Sequence, residues 1–229
     1  SSIIAHLLHA AGLNVMAFVG GISKNYDSNL LLNTAEGKDQ VVVVEADEFD
    51  RSFHQLSPNI VVLTTVDPDH LDIYQTPEKF NEGFKIFIDK IEDGGKLIVN
   101  QVVDPSVYAD TKTAVEVITY GENQQEVKEG FEILKSEPGK EEFVLSDGQI
   151  FEIGVSGIHN VHNALGGLLA ARCLGIKNQV LKNALLQYEG VKRRFDYIVN
   201  RPNVVYIDDY AHHPSEIKNL IQSVRKIYP

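Results

Sequence analysis

The stretch Val41-Val42-Val43-Val44-Glu45-Ala46-Asp47-Glu48 decides the fold class. An unbroken β-branched run reads as a strand of a parallel sheet, buried on both faces. Here it runs straight into carboxylates. Ile60-Val61-Val62-Leu63-Thr64 repeats the form and leads to Asp67, Asp69, His70 and Asp72. Between Pro77 and Ile91, Phe80, Phe84, Phe87, Ile88 and Ile91 recur at helical spacing. Lys96 to Asn100 then returns as a strand. This alternation predicts an α/β fold, a mostly parallel sheet flanked by helices.

Upstream, Ile3, Ile4, Leu7, Leu8 and Ala11 predict a helix from Ser1 to Gly12. Val15 to Val19 reads as a short strand stopped by Gly20-Gly21, and Leu30 to Leu32 as an apolar run in a polar loop. Downstream the texture changes. Val115–Tyr120, Phe131–Lys135, Glu142–Leu145 and Gln149–Ile153 predict a small antiparallel β appendage, with a hairpin turn at Ser146-Asp147-Gly148. Helices follow over Val161–Leu174 and Asn178–Tyr188. Gly190 to Arg194 reads as a linker, then come strands Phe195–Val199 and Val204–Ile207 and a helix from Pro214 to Ile227. The expected organisation is one domain over residues 1–190 and the beginning of a truncated second α/β domain over 191–229.

The 229 residues are 43% hydrophobic and 23% charged, which places the chain among globular proteins rather than disordered ones. No apolar run approaches the roughly 20 residues needed to span a bilayer, and no secretory signal precedes the first helix. Cys173 is the only cysteine, so no intrachain disulfide forms and a reducing cytoplasm is expected. A net charge of −11 argues against nucleic-acid binding as the main role.

Four clusters carry chemistry. Ligands of open α/β sheets bind outside the carboxyl ends of the strands. Glu45, Asp47 and Glu48 stand at such an end, where carboxylates suit Mg²⁺, a hard cation that prefers oxygen. The bland reading is a solvated acidic loop. His70, in Asp67-Pro68-Asp69-His70-Leu71-Asp72, can ligate a metal or position a phosphate, or belong to an ordinary capping turn. In Gly157-Ile158-His159-Asn160-Val161-His162-Asn163-Ala164, Asn160 and Asn163 share one helix face and can both donate and accept to a base edge; a simple cap is the alternative. Last come Arg193-Arg194-Phe195-Asp196 and Asp208-Asp209-Tyr210-Ala211-His212-His213-Pro214. Arginine suits phosphate, against a plain basic linker. The chain contains neither a Gly-x-x-x-x-Gly-Lys-Ser/Thr loop nor a Gly-x-Gly-x-x-Gly motif, and Gly20-Gly21 does not replace either.

In this order the clusters resemble the Mur ligases of peptidoglycan synthesis, across nearly the whole chain. Glu45-Ala46-Asp47-Glu48-Phe49-Asp50 and Asp209-Tyr210-Ala211-His212-His213-Pro214 carry the flavour of the branch that joins L-alanine to UDP-N-acetylmuramate. The murein tripeptide ligases of cell-wall recycling are the nearest rivals, and folylpolyglutamate synthetases more distant ones. The resemblance implies a phosphate-loop nucleotidase-like central domain that binds ATP, with the start of a domain that closes over it. It implies that a Gly-Lys-Thr loop belongs just before Ser1, so the piece in hand is expected to be inactive and to bind ATP poorly. The implied chemistry is bacterial and cytoplasmic. A substrate carboxylate takes the γ-phosphate of ATP, and the amine of L-alanine then displaces phosphate. The implied roles are Glu45 and His70 for Mg²⁺, and His159, Asn160 and Asn163 for the nucleotide. Arg194 would reach the γ-phosphate and Asp209 the nucleotide on closure, with His212 near the substrate. A carbamylated lysine, which several Mur ligases carry, would fall at Lys85. The two readings from other classes are a non-catalytic nucleotide-binding module and a metal-dependent phosphohydrolase using Glu45, Asp47, Asp69 and His70.

Overall fold

The computed structural model describes residues 1–32, 39–67, 71–122 and 125–228. They form two compact units, one of residues 1–45 and 132–229, the other of 46–131.

The first unit opens with α1 (Ser2–Ala10), whose Ile3, Ala5, Leu7 and Leu8 are buried. After Gly12 comes β1 (Asn14–Ser23), followed by β2 (Ser28–Leu32) and β3 (Gln40–Val44). The sheet order is β2-β1-β3, with β2 antiparallel and β3 parallel to β1. Leu30–Leu32 is therefore part of a strand rather than a loop, because Leu30 to Leu32 pair with Phe18 to Met16. The valine run does form a parallel strand, but only Val43 is buried, while Val42 and Val44 are exposed. The reason lies in the layering. One sheet face, with Val15 and Ala17, is buried, whereas Phe18, Leu30, Leu32, Val42 and Val44 are exposed.

The second unit holds β4 (Ile60–Leu63), α2 (Leu71–Tyr74), α3 (Pro77–Ile88), β5 (Lys96–Asn100) and β6 (Glu116–Gly121). Strands β4, β5 and β6 run parallel in that order. The predicted aromatic stripe is real: Phe80, Phe84, Phe87 and Ile88 of α3 pack with Val61, Leu63, Leu97, Val99 and Phe53 in one core. Thr76 caps α3, its hydroxyl accepting from the Lys79 amide, with Pro77 in the first turn. β6 belongs to this parallel sheet and not to the antiparallel appendage. Its Lys96↔Glu116 to Asn100↔Tyr120 register with β5 is regular. Next, β7 (Glu129–Glu137) starts parallel to β6 at Glu129 and Gly130.

Back in the first unit, β7 is followed by β8 (Lys140–Leu145) and β9 (Ile150–Ile153), which pair antiparallel across the predicted Asp147-Gly148 turn. α4 (Ile158–Cys173) and α5 (Asn178–Leu186) follow. Val161, Ala164, Leu165, Leu168 and Leu169 of α4 are buried, as are Leu181, Ala184 and Leu185 of α5, and both helices contact α1. The antiparallel pair β10 (Asp196–Arg201) and β11 (Val204–Asp208) leads to α6 (Pro214–Ile227). No helix among the described residues is long and apolar enough to cross a membrane.

Candidate functional site

The first unit gathers its polar motifs at the ends of its elements. Glu45 leaves the carboxyl end of β3, its amide bonded to the Phe18 carbonyl at 2.9 Å. Its carboxylate accepts the Gly20 N–H at 3.2 Å. A Cβ on residue 20 would come within 2.6 Å of that carboxylate, and one on Gly21 within 2.4 Å of Val191. This explains a double glycine inside a strand: the backbone must admit a carboxylate on one side and a crossing chain on the other.

The crossing chain is the segment after Gly190. It is no free tether. Val191 bridges Ser23, the Lys192 amide bonds Ile22, and the Lys24 amide bonds Gly190. Lys24 also pairs with Asp196 at 2.5 Å, a contact nothing in the sequence foretold. Two residues here hold left-handed backbone, Arg193 at φ 59° and Phe195 at φ 48°. Such a conformation in a bulky non-glycine residue is strained and persists only where its surroundings fix it. Asp209 does the fixing. One carboxylate oxygen accepts the Phe195 N–H and the other the Ala211 N–H, each at 2.7 Å, while the Tyr210 amide bonds the Arg193 carbonyl at 2.8 Å.

Arg194 sits in the middle of this loop with its side chain exposed, 4.0 Å from Glu216. Glu216 in turn accepts the backbone N–H groups of His212 and His213 at 3.1 and 3.2 Å. Partial burial pushes its carboxyl up, but those two amides, with His212 and Arg194, overcome this and hold it below its ordinary value. His212 is exposed, its Nδ1 donating to the Tyr210 carbonyl at 3.0 Å. The His159 ring packs against Phe195 at 6.1 Å between centroids. Burial lowers the His159 pKa, with Asp209 opposing and Arg194 adding to the shift, so the ring stays neutral near pH 7. Asn160 donates through Nδ2 to the Ser156 carbonyl at 2.7 Å, and Asn163, one face along α4, is exposed.

The structure thus brings together Arg194, His159, Asp209 and Glu216 around one loop, which crosses β1 beside the glycines that Glu45 contacts. Glu216 belongs to none of the four sequence clusters. His70 and Asp69 lie outside the described residues. Lys85 stands on α3 in the second unit, half exposed, 3.9 Å from Asp110. Among the described residues no group of three or more His, Cys, Asp or Glu side chains is arranged to hold a metal. Glu45 offers hard carboxylate oxygens at a strand end, a donor that fits Mg²⁺ held by one or two carboxylates together with phosphates and water.

The fold is that of the Mur ligases, and the chain belongs to this family: residues 1–171 match the Mur ligase middle domain. It is 42% identical over 230 residues to the UDP-N-acetylmuramate–L-alanine ligase of Flavobacterium psychrophilum, and 38% over 242 to that of Cytophaga hutchinsonii. Both matches take in all of this chain and 49% of the relative. The crystal structure of the UDP-N-acetylmuramate–alanine ligase of Thermotoga maritima superposes with a TM-score of 0.82 at 25% identity, covering 99% of this chain and 51% of that one. The chain therefore spans about half the length of the curated relatives it matches.

Proposed function

We propose that the chain is the nucleotide-binding part of an ATP-dependent, cytoplasmic bacterial ligase that joins L-alanine to UDP-N-acetylmuramate. The observation that carries this reading is the Arg194 loop, clamped by Asp209 and crossing β1 at the glycines beside Glu45, in a chain that relatives of that name match over its whole length. The exposed arginine in that loop offers a planar fork for phosphate oxygens.

On this reading Glu45 would help to hold Mg²⁺, which when bound would neutralise charge on the phosphates; the other ligand expected from the sequence, His70, lies outside the described residues. Asn160 and Asn163 present amides to the base, and neutral His159 supports the turn that carries them. Asp209 and the strained Arg193–Phe195 loop hold Arg194 ready for the transferring phosphoryl group, an electrostatic role filled without rearrangement at the moment of reaction. Asp209 meets the nucleotide as residues 191–229 close, and His212 lies on the substrate side. Lys85 is the position for a carbamylated lysine; mass spectrometry of the intact protein at neutral pH, showing or lacking an added carbon dioxide, tests it.

The function is tested on the full-length protein by phosphate release from ATP with UDP-N-acetylmuramate and each candidate amine. Release that depends on L-alanine supports the reading. Release only with a murein tripeptide reassigns the protein to the recycling branch. Arg194→Ala is expected to lower kcat by about 100-fold, the scale of one lost electrostatic contact to the transition state, with a smaller rise in the ATP KM. A rise in KM alone makes Arg194 a uniform binding group.

A further inference from the structure

The groups that fix the start of α4 come from outside that helix. Its first residue follows Gly157, which has φ 106° and no side chain with which to cap. A Cβ there would meet the His159 ring at 2.7 Å, so the position is closed to other residues. The missing cap is supplied by β8. Glu141, only 2% exposed, accepts the Gly157 N–H through Oε1 at 2.9 Å and the Ser136 hydroxyl through Oε2 at 2.5 Å. Ser156, equally buried, accepts the Gly139 N–H at 2.6 Å and donates to the Glu137 carbonyl at 3.0 Å. Its own carbonyl takes the Asn160 side-chain amide.

A buried carboxylate is costly unless its oxygens are hydrogen-bonded, and a negative charge is most favourable at a helix N-terminus. Both conditions hold here. The neighbouring strands β7 and β8 therefore do more than extend a sheet: they seat the turn Ser156–Asn160. We propose that Glu141 is a positioning residue for nucleotide recognition. It holds Gly157 and Ser156 in the one arrangement that orients the Asn160 amide. This rests on the reading of the α4 start as the base site.

The test uses the full-length protein and compares ATP with inosine triphosphate, which carries a carbonyl in place of the exocyclic amine. Loss of one well-placed hydrogen bond is worth about tenfold in affinity. Glu141→Ala is expected to raise the ATP KM by about that factor, leave kcat within about twofold, and narrow the preference for ATP over inosine triphosphate. Glu141→Gln keeps an acceptor for Gly157 and should recover most of both. If Glu141→Ala does not fold, Ser136→Ala, which loosens only the second oxygen, is expected to raise the ATP KM by about threefold. Asn160→Ala separates the two layers of the argument. If it raises the ATP KM while the Glu141 and Ser136 variants match wild type in KM and in nucleotide preference, Glu141 is a structural acid only and the proposal is overturned. If Asn160→Ala changes nothing either, the base site is elsewhere and the proposal falls with it.

Discussion

Helices α4 and α6 both begin with a polar motif beside Arg194, and they are held in place by different physics. Behind its first turn α4 is a core helix, with Val161, Ala164, Leu165, Leu168 and Ala171 all fully buried. Among the described side chains of α6 only Ser223 is buried, while Ile217 and Ile221 are 41% and 45% exposed. Its start is fixed by polar contacts: Glu216 to two backbone amides and to Arg194, with the Asp209 clamp immediately upstream. One site edge is therefore anchored by hydrophobic burial and the other by a few charge-assisted bonds. The first resists salt and, near neutral pH, proton uptake; the second is open to both.

The largest effect expected from this contrast is on stability. Leu168→Ala removes a fully buried side chain and should cost about 2–5 kcal/mol. Ile221→Ala, on the exposed side of α6, should stay within about 0.5 kcal/mol. Urea unfolding of the two variants checks this. Equal losses would mean that α6 is as much a core helix as α4.

A smaller effect is expected at the polar edge. Glu216→Ala leaves the His212 and His213 amides without their acceptor and should cost about 1 kcal/mol, in the range of a lost helix cap. The folded-state pKa of Glu216 lies below its ordinary value, so its contribution is present at neutral pH and disappears as pH falls through that lowered value. Hydrogen exchange should show faster opening confined to the start of α6. If protection is lost across α4 as well, the two edges are coupled more tightly than the contrast allows.

The same division explains what was legible in the sequence. The α1, α3, α4 and α5 helices announce themselves because burial imposes a helical period on their apolar residues. Strand β3 was found, but its two-sided burial was not. A run of valines reports strand propensity, while the count of covered faces depends on what packs there. β6 was assigned to the wrong kind of pairing for a related reason: its partner, β5, lies beyond the loop that precedes it. At the site, Glu45, Arg194 and Asp209 stood in clusters legible by residue type, while the choice of His159 and the individual roles came from the family resemblance. The roles of Gly20, Lys24 and Glu141 were invisible because each acts on a residue distant in sequence.

The finest test of the contrast is the pH dependence of the α4 edge, where the effect at neutral pH is close to nil. His159 is lowered in pKa mainly by burial, against an ordinary value of 6.5. In the unfolded chain the same imidazole takes up a proton as pH falls through about 6.5, while the folded protein resists until lower pH. Across that window the unfolded state binds more protons, so stability is full above it and declines as the solution is acidified. His6, on α1, is shifted the same way by burial, although its Nε2 donates to the Ala184 carbonyl at 2.8 Å. His159→Gln should therefore flatten the acid decline without abolishing it, by at most about 1.4 kcal/mol per pH unit, one proton's worth. Urea midpoints between pH 5 and 8 for wild type and variant give the answer. Parallel curves would mean that His159 is protonated as readily in the folded protein as in the unfolded one. The ring would then be a solvent-facing group, and the α4 edge would share the electrostatic character of α6.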